Sequence, residues 1–257
     1  MIRREFDPLR ILLLDIETSP NIAHVWGLYN QNISLNQLLE SSRTMCWAAK
    51  WYGEKDVYFS SENETTHRKM IKQIHGLLDE ADTVVHYNGK RFDMPCLNKE
   101  FLLLGYKPPS PYKQVDLLQT ARSQFKFPSN KLDYVSQMLG VGQKVKHDVH
   151  ELLLKCLNKD QDAWKRMEKY NIQDVILLEE VYDKLLPWIK SHPNHNTHTD
   201  KRVCPNCGSH KLHKRGTYCT MTNTYYRLRC MTCGKWSRSN SALKNLKKSD
   251  SVISIKD

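Results

Sequence analysis

The stretch Arg10–Thr18, RILLLDIET, constrains the fold of this chain more than any other. Ile11, Leu12, Leu13 and Leu14 follow one another without a polar interruption, the pattern of a strand covered on both faces. Asp15 and Glu17 close the run. They lie two residues apart, so on a strand both side chains point to one face. Two negative charges at the end of a buried strand are costly unless something positive sits beside them. A divalent metal with oxygen ligands is the least costly partner. On this stretch alone, a strand running out into an acidic turn accounts for the pair equally well.

The 257 residues suffice for one large domain and a small one. No apolar run approaches the roughly 18 residues needed to span a membrane. The N-terminus, MIRREFDPLR, lacks an apolar signal core, so the expected location is cytoplasmic. The net charge of +11 is uneven: residues 1–190 hold 26 Lys and Arg against 25 Asp and Glu, and residues 191–257 hold 13 against 3. The last quarter therefore carries the electrostatic footprint, and a polyanion such as nucleic acid is the expected partner. The cysteines divide at the same place. Cys46, Cys96 and Cys156 stand singly in apolar or helical surroundings, and the other five fall between 204 and 233. Clustering of that kind, without a secretory signal, points to a metal more than to disulfides.

In chain order, Ala23–Tyr29, Thr44–Tyr52 and Val57–Ser60 read as strands with short connections, which makes them antiparallel neighbours. Thr66–Ala81 is an amphipathic helix with Met70, Ile71, Ile74, Leu77, Leu78 and Ala81 on one stripe. Thr83–Tyr87 is a strand, and the turn Asn88-Gly89-Lys90 leads to Asp93 at the start of a helix. An Asp there ordinarily caps the helix. Gln114–Leu118 reads as a strand, and Lys131–Leu139 and Asp148–Leu157 as helices. The loop Gly140–His147 is basic. Asp116 and His147 read more simply as a turn residue and a surface residue than as parts of a site. Gln161–Ile189 reads as one long helix on which Tyr170 and Asp174, four apart, share a face. Residues 191–200, SHPNHNTHTD, fit a polar linker.

Asp15, Glu17, Asp93 and Asp174 each sit at the end or edge of an apolar element. Two divalent ions roughly 3.5–4 Å apart need such a cluster and perform in-line phosphoryl displacement. Hard oxygen ligands select Mg²⁺ or Mn²⁺. Tyr170, one turn before Asp174, is placed to orient the attacking water. LLLDIET, HYNGKRFD and YNIQD, in this order, resemble the three motifs of the DEDD (DnaQ-like) 3′–5′ exonuclease superfamily. Its histidine branch places His five residues before the final Asp, where this chain has Lys169. Its tyrosine branch places Tyr four before, where this chain has Tyr170. VDLLQTAR and KLDYVSQMLG are most similar to stand-alone exonucleases related to the proofreading domain of family B DNA polymerases. The resemblance covers residues 9–188. It implies an α/β, ribonuclease-H-like mixed sheet flanked by helices over residues 1–190. It also implies that the backbone near Thr18 and the side chains of Asn88 and Phe92 hold the terminal nucleotide. Single-stranded DNA is the favoured substrate, and RNA is also compatible.

Cys204-Pro-Asn-Cys207 and Cys230-Met-Thr-Cys233, 22 residues apart, form two knuckles with zinc-ligand spacing. Gly208 and Gly234 each follow the second cysteine, where a tight turn needs positive φ. Tyr225–Arg229 alternates as a strand. Residues 201–257 therefore read as a basic zinc ribbon and tail holding one structural Zn²⁺, with Cys219 as a spare thiol. Tyr218, Tyr225, Tyr226 and Trp236 among Arg215, Arg227, Arg229 and Arg238 suit phosphate contact with base stacking. Two other readings use the same residues: an inert nucleic-acid-binding adaptor, and a structure-specific endonuclease or ribonuclease on the same fold.

Overall fold

In the computed structural model, which describes residues 9–142 and 149–243, the apolar run is the central strand of a five-stranded sheet. The chain divides into two compact units, one spanning Arg10–Lys184 and the other beginning at Leu185. The first unit runs β1 (Ile11–Thr18), β2 (Ile22–Ala23), β3 (Leu38–Glu40), β4 (Thr44–Trp51), β5 (Val57–Ser61), α1 (His67–Glu80), β6 (Thr83–His86), α2 (Asp93–Leu103), β7 (Lys113–Asp116), α3 (Leu117–Gln124), α4 (Leu132–Leu139), α5 (Val149–Leu157) and α6 (Gln161–Leu185). The main sheet has the order β5-β4-β1-β6-β7. The β1–β4 and β4–β5 pairs are antiparallel, and the β1–β6 and β6–β7 pairs are parallel.

Alternation along β1 decides which face receives the carboxylates. Leu12, Leu14 and Ile16 pack with Trp47, Ala49 and Trp51 against Met70, Ile71, Ile74 and Leu78 of α1 and Met94, Leu97 and Phe101 of α2. Each buried leucine there contributes roughly 1.5–3 kcal/mol. The pleat turns Asp15 and Glu17 to the opposite face. That face meets α6, whose Asn171 amide reaches Asp15. A second apolar cluster joins Met45 and Cys46 to Leu152, Cys156, Ala163, Trp164, Met167 and Tyr170. Polar bonds then fix α6 against β4. Lys50 pairs with Glu179, which also accepts the Gly53 N–H at 2.9 Å, and the Tyr52 hydroxyl donates to Asp183 at 2.7 Å.

Three sequence expectations are corrected. Ala23–Tyr29 is not a strand: only Ile22–Ala23 pairs, with Leu38–Glu40. β-Propensity in a stretch such as VWGLY reflects packing against neighbours, and here Val25, Trp26, Leu28 and Tyr29 are exposed. Gln114–Leu118 divides between β7 and α3, because Asp116 caps α3 by accepting the Leu118 N–H at 3.0 Å. The long helix ends at Leu185, and Pro187 lies in a 3₁₀ turn over Leu186–Trp188. Residues 143–147 of the basic loop, His147 included, lie outside the described residues.

A charged cluster joins β4, β5, α1 and α2. Arg43 donates to both oxygens of Glu62 at 2.8 and 3.2 Å. His67 meets Glu62 and Glu100, each at 3.0 Å, and Glu100 accepts the Thr44 N–H at 3.2 Å. Carboxylates only accept, so both ring nitrogens of His67 donate and the ring is cationic. The hydrogen bond to Glu62 raises the His67 pKa, and burial opposes it less strongly. A raised histidine contributes stability that is complete below about pH 6.5 and is lost as pH rises through the folded-state value. The melting temperature is therefore expected to fall as pH rises above about 6.5. The fall should be smaller in His67→Gln. Parallel melting curves for the two proteins would contradict the assignment.

The second unit contains β8 (Leu212–Cys219), β9 (Thr224–Cys230) and β10 (Trp236–Arg238) in an antiparallel sheet, order β10-β9-β8. Within 191–200, His195–His198 form a 3₁₀ turn, and Asn196 exchanges two hydrogen bonds with the Val203 backbone, at 3.0 and 2.9 Å. The His192 and His195 rings stack at 5.8 Å, and burial lowers the His192 pKa to about 4. Among the described residues, no helix is long and apolar enough to cross a membrane.

Candidate active site

Carboxylate oxygens of Asp15, Glu17 and Asp174 all lie within 4.8 Å of one another. Two come from β1 and one from α6, where Asp174 is 2 % exposed. At an effective dielectric of 20, two unit charges at that separation repel by about 3 kcal/mol. The Asn171 side chain donates to Asp15 Oδ2 at 2.7 Å. A hydrogen bond to a charged group returns about 1.5–3 kcal/mol, less than three such repulsions together. Hard oxygen donors in this arrangement fit a divalent cation. Oxygens on one octahedral Mg²⁺ are at most about 4.2 Å apart, which a group lying within 4.8 Å can accommodate.

Asp93 stands outside that group but joins the same strand. It is buried at the first turn of α2, and its Oδ1 accepts the Ile16 N–H at 3.3 Å, between Asp15 and Glu17. Phe92, not Asp93, holds the cap position of the helix. Tyr170 is buried in the apolar cluster with Met45, Cys46 and Trp164. Thr18 is half-buried where the β1–β4 register shifts, after Glu17. Phe92 is 43 % exposed. Asn88 is held at φ 70 as its N–H donates to Asp116 Oδ1 at 2.9 Å.

Under that turn lies a buried support. His86 Nδ1 accepts the Gly89 N–H at 3.1 Å, and Nε2 faces Gln114 Oε1 at 3.2 Å. The first contact requires Nδ1 without a proton, so Nε2–H donates and the ring is neutral. Burial lowers its pKa accordingly. A Cβ at position 89 would lie 2.4 Å from His86 Cγ, so only glycine lets the chain pass there. Asp116, read from sequence as a turn residue, thus holds the loop that presents Asn88.

Asn171 is the site residue that sequence reasoning missed. A signal was present: it lies three residues before Asp174, on the same helix face, and is polar beside an apolar run. Nothing in the spacing told which carboxylate it would reach.

In the second unit, the sulfur atoms of Cys204, Cys207, Cys230 and Cys233 all lie within 4.8 Å of one another. Cys204–Cys233 and Cys207–Cys230 are each separated by 3.6 Å. A tetrahedron with about 2.3 Å Zn–S bonds has edges of about 3.8 Å, so the four thiols fit one zinc ion. Gly208 and Gly234 have φ 68 and 82, as the knuckles require. Cys219 is exposed at the end of β8. Residues 201–243 contain no Asp or Glu. Arg238 lies 4.0 Å over the Tyr225 ring, Arg227 5.1 Å from the Trp236 ring, and Lys214 3.3 Å over Tyr226.

Residues 12–186 match the family model RNase_H_2, described as RNase_H superfamily. Among solved structures, the family B DNA polymerase from the hyperthermophilic archaeon Pyrobaculum calidifontis is similar with a TM-score of 0.52 and 20% identity. The likeness covers 70% of this chain and 25% of that one, and at this identity it is a likeness of fold. No curated protein sequence matches the chain.

Proposed function

The chain belongs to the RNase H superfamily, and from that premise we propose a metal-dependent 3′–5′ exonuclease. It would release 5′-mononucleotides from single-stranded DNA, with RNA as the second substrate class. The observation that carries this reading is the gathering of Asp15, Glu17 and Asp174 within 4.8 Å at the end of the central strand. Two Mg²⁺ or Mn²⁺ ions held by these residues and Asp93 would supply the Lewis acidity for in-line displacement at phosphorus. Asn171 fixes the rotamer of Asp15, and the Asp93 bond to Ile16 N–H fixes α2 against the strand. Tyr170 orients the attacking water through its hydroxyl. The Thr18 backbone, Asn88 and Phe92 hold the terminal nucleotide, and Asp116 and His86 keep Asn88 in place. In the second unit, Cys204, Cys207, Cys230 and Cys233 hold one structural Zn²⁺. Its basic, aromatic surface retains the strand.

The test is digestion of 5′-labelled single-stranded DNA and RNA oligomers with Mg²⁺, Mn²⁺ or EDTA, beside a closed circular strand. The expected result is a metal-dependent ladder shortening from the 3′ end, with the circle intact. Cleavage of the circle would assign an endonuclease instead. Salt-sensitive binding without cleavage would assign an inert adaptor.

A further inference from the structure

The connection from β1 to β4 is an arm, residues 20–42, whose composition is at odds with its exposure. Trp26 is 95 % exposed, Leu28 87 %, Tyr29 85 % and Leu35 86 %. Val25, Ile33 and Leu39 are exposed too. Glu40 is the only Asp, Glu, Lys or Arg in the arm, and Asn30, Gln31, Asn32, Asn36 and Gln37 stand among the apolar residues. Contiguous apolar exposure of this kind marks a binding surface.

The arm is anchored at its base. The Ser19 N–H donates to the Arg43 carbonyl at 2.8 Å, and the Arg43 N–H donates to Ser19 Oγ at 3.0 Å. Asn21 accepts the Ser42 N–H at 2.7 Å. Halfway along, the His24 N–H donates to the Gln37 carbonyl and Gln37 Nε2 donates to the His24 carbonyl, both at 2.9 Å. Gln37 Oε1 accepts the Ser34 N–H at 3.0 Å. Polar bonds are spent on the base and stem, and the apolar side chains are left pointing to solvent.

The root of the arm is also the edge of the carboxylate site. Ser19 lies two residues past Glu17, and by chain length alone Trp26 is within about 30 Å of Glu17. A surface for phosphates needs cations, and the arm has no Lys or Arg. Exposed aromatic rings interleaved with amides suit nucleobases, which offer a π-face and hydrogen-bonding edges.

We propose that the arm grips the bases of the strand whose 3′ end lies at Asp15, Glu17 and Asp174, with Trp26 and Tyr29 stacking on unpaired bases. This rests on the exonuclease reading and adds a base-recognition site to it. Every base has a π-face, so the grip is indifferent to sequence. Bases stacked within a duplex are not available to it, so it selects single strands.

The test measures binding by fluorescence anisotropy in EDTA, where no cleavage occurs. The probes are a labelled single-stranded oligodeoxynucleotide and an abasic strand of the same length. The wild type is expected to bind the oligodeoxynucleotide at least about tenfold tighter than the abasic strand. Trp26→Ala/Tyr29→Ala should lose that margin and bind both alike, and Trp26→Phe/Tyr29→Phe should keep most of it. Retention of the full margin by the double alanine variant would overturn the proposal. So would a double alanine variant that changes from oligomer to monomer, which would assign the arm to a second copy of the chain. If the wild type makes the 3′-end ladder and the double variant still binds normally, only the arm proposal fails. A wild type that neither cuts nor binds removes the exonuclease reading along with it.

Discussion

Asp174→Asn is expected to slow shortening from the 3′ end on the order of 10³-fold, while the protein folds as before. Asparagine keeps the volume at a position that is 2 % exposed, so packing around α6 is preserved. It removes one of three carboxylates whose oxygens lie within 4.8 Å of one another. Two pairwise repulsions disappear with it, each about 3 kcal/mol at an effective dielectric of 20. Metal-free variant should therefore melt no lower than metal-free wild type. Divalent cation then acts on the two proteins differently. A ligand that binds only the folded state raises its stability by mass action. Wild type should thus gain melting temperature with Mn²⁺, and the variant should gain much less. Loss of metal-assisted charge stabilisation worth about 4 kcal/mol corresponds to the expected thousandfold fall in rate. Melting curves with and without Mn²⁺, read beside the oligomer ladder, separate a lost metal ligand from a damaged fold. Near-normal rates in Asp174→Asn would remove it from the site.

Cys204→Ser/Cys207→Ser is expected to bring zinc content from one ion per chain to none and to unfold the second unit. Among the described residues the apolar ones buried there are few: Leu185, Leu186, Ile189, Val203 and Leu228 beside Cys204 and Cys230. A core so small does not hold a fold of this length by itself. Structural zinc contributes about 10–16 kcal/mol in comparable modules at neutral pH. Backbone N–H groups of Thr232 and Cys233 also favour the thiolate at Cys230. Burial works to raise that thiol, yet they and hydrogen bonds with the Cys207 and Cys233 side chains bring it down to about 7. Burial raises Cys207 and Cys233, and only a cation nearby makes all four thiolates affordable together. The larger unit has its own core and should retain its own melting transition. Affinity for a single strand should then fall more than turnover at saturating substrate. The salt dependence of binding should flatten as well, because residues 191–257 hold 13 Lys and Arg against 3 Asp and Glu. Zinc measured by atomic absorption and affinity measured at two salt concentrations test both parts. A variant that still holds one zinc per chain contradicts the ligand assignment.

The elements that could be read from sequence were those whose register is set by local backbone geometry. Period two on a strand put Asp15 and Glu17 on one face, and period 3.6 marked the buried stripe Met70, Ile71, Ile74 and Leu78 of α1. The spacing of the knuckle cysteines was equally legible. The stretch Ala23–Tyr29 carries the aromatic and branched residues of a strand, yet Val25, Trp26, Leu28 and Tyr29 are exposed and only Ile22–Ala23 pairs. Residue type alone does not distinguish a paired strand from such an exposed stretch.

By itself, then, the sequence determined which residues are candidates for the chemistry: the acids at the ends of apolar elements, Tyr170 four before Asp174, and four cysteines at metal-ligand spacing. These follow from bond geometry and helical or strand repeat, which act over a few residues. Only the tertiary structure decided which of them meet. The Asn171 amide reaches Asp15 across 156 residues of chain. Asp93 accepts the Ile16 N–H from the first turn of α2, and Asp116 holds Asn88 from a neighbouring strand. Such pairings depend on how the helices pack on the sheet. Packing is set by the summed fit of many side chains, and no local pattern records it.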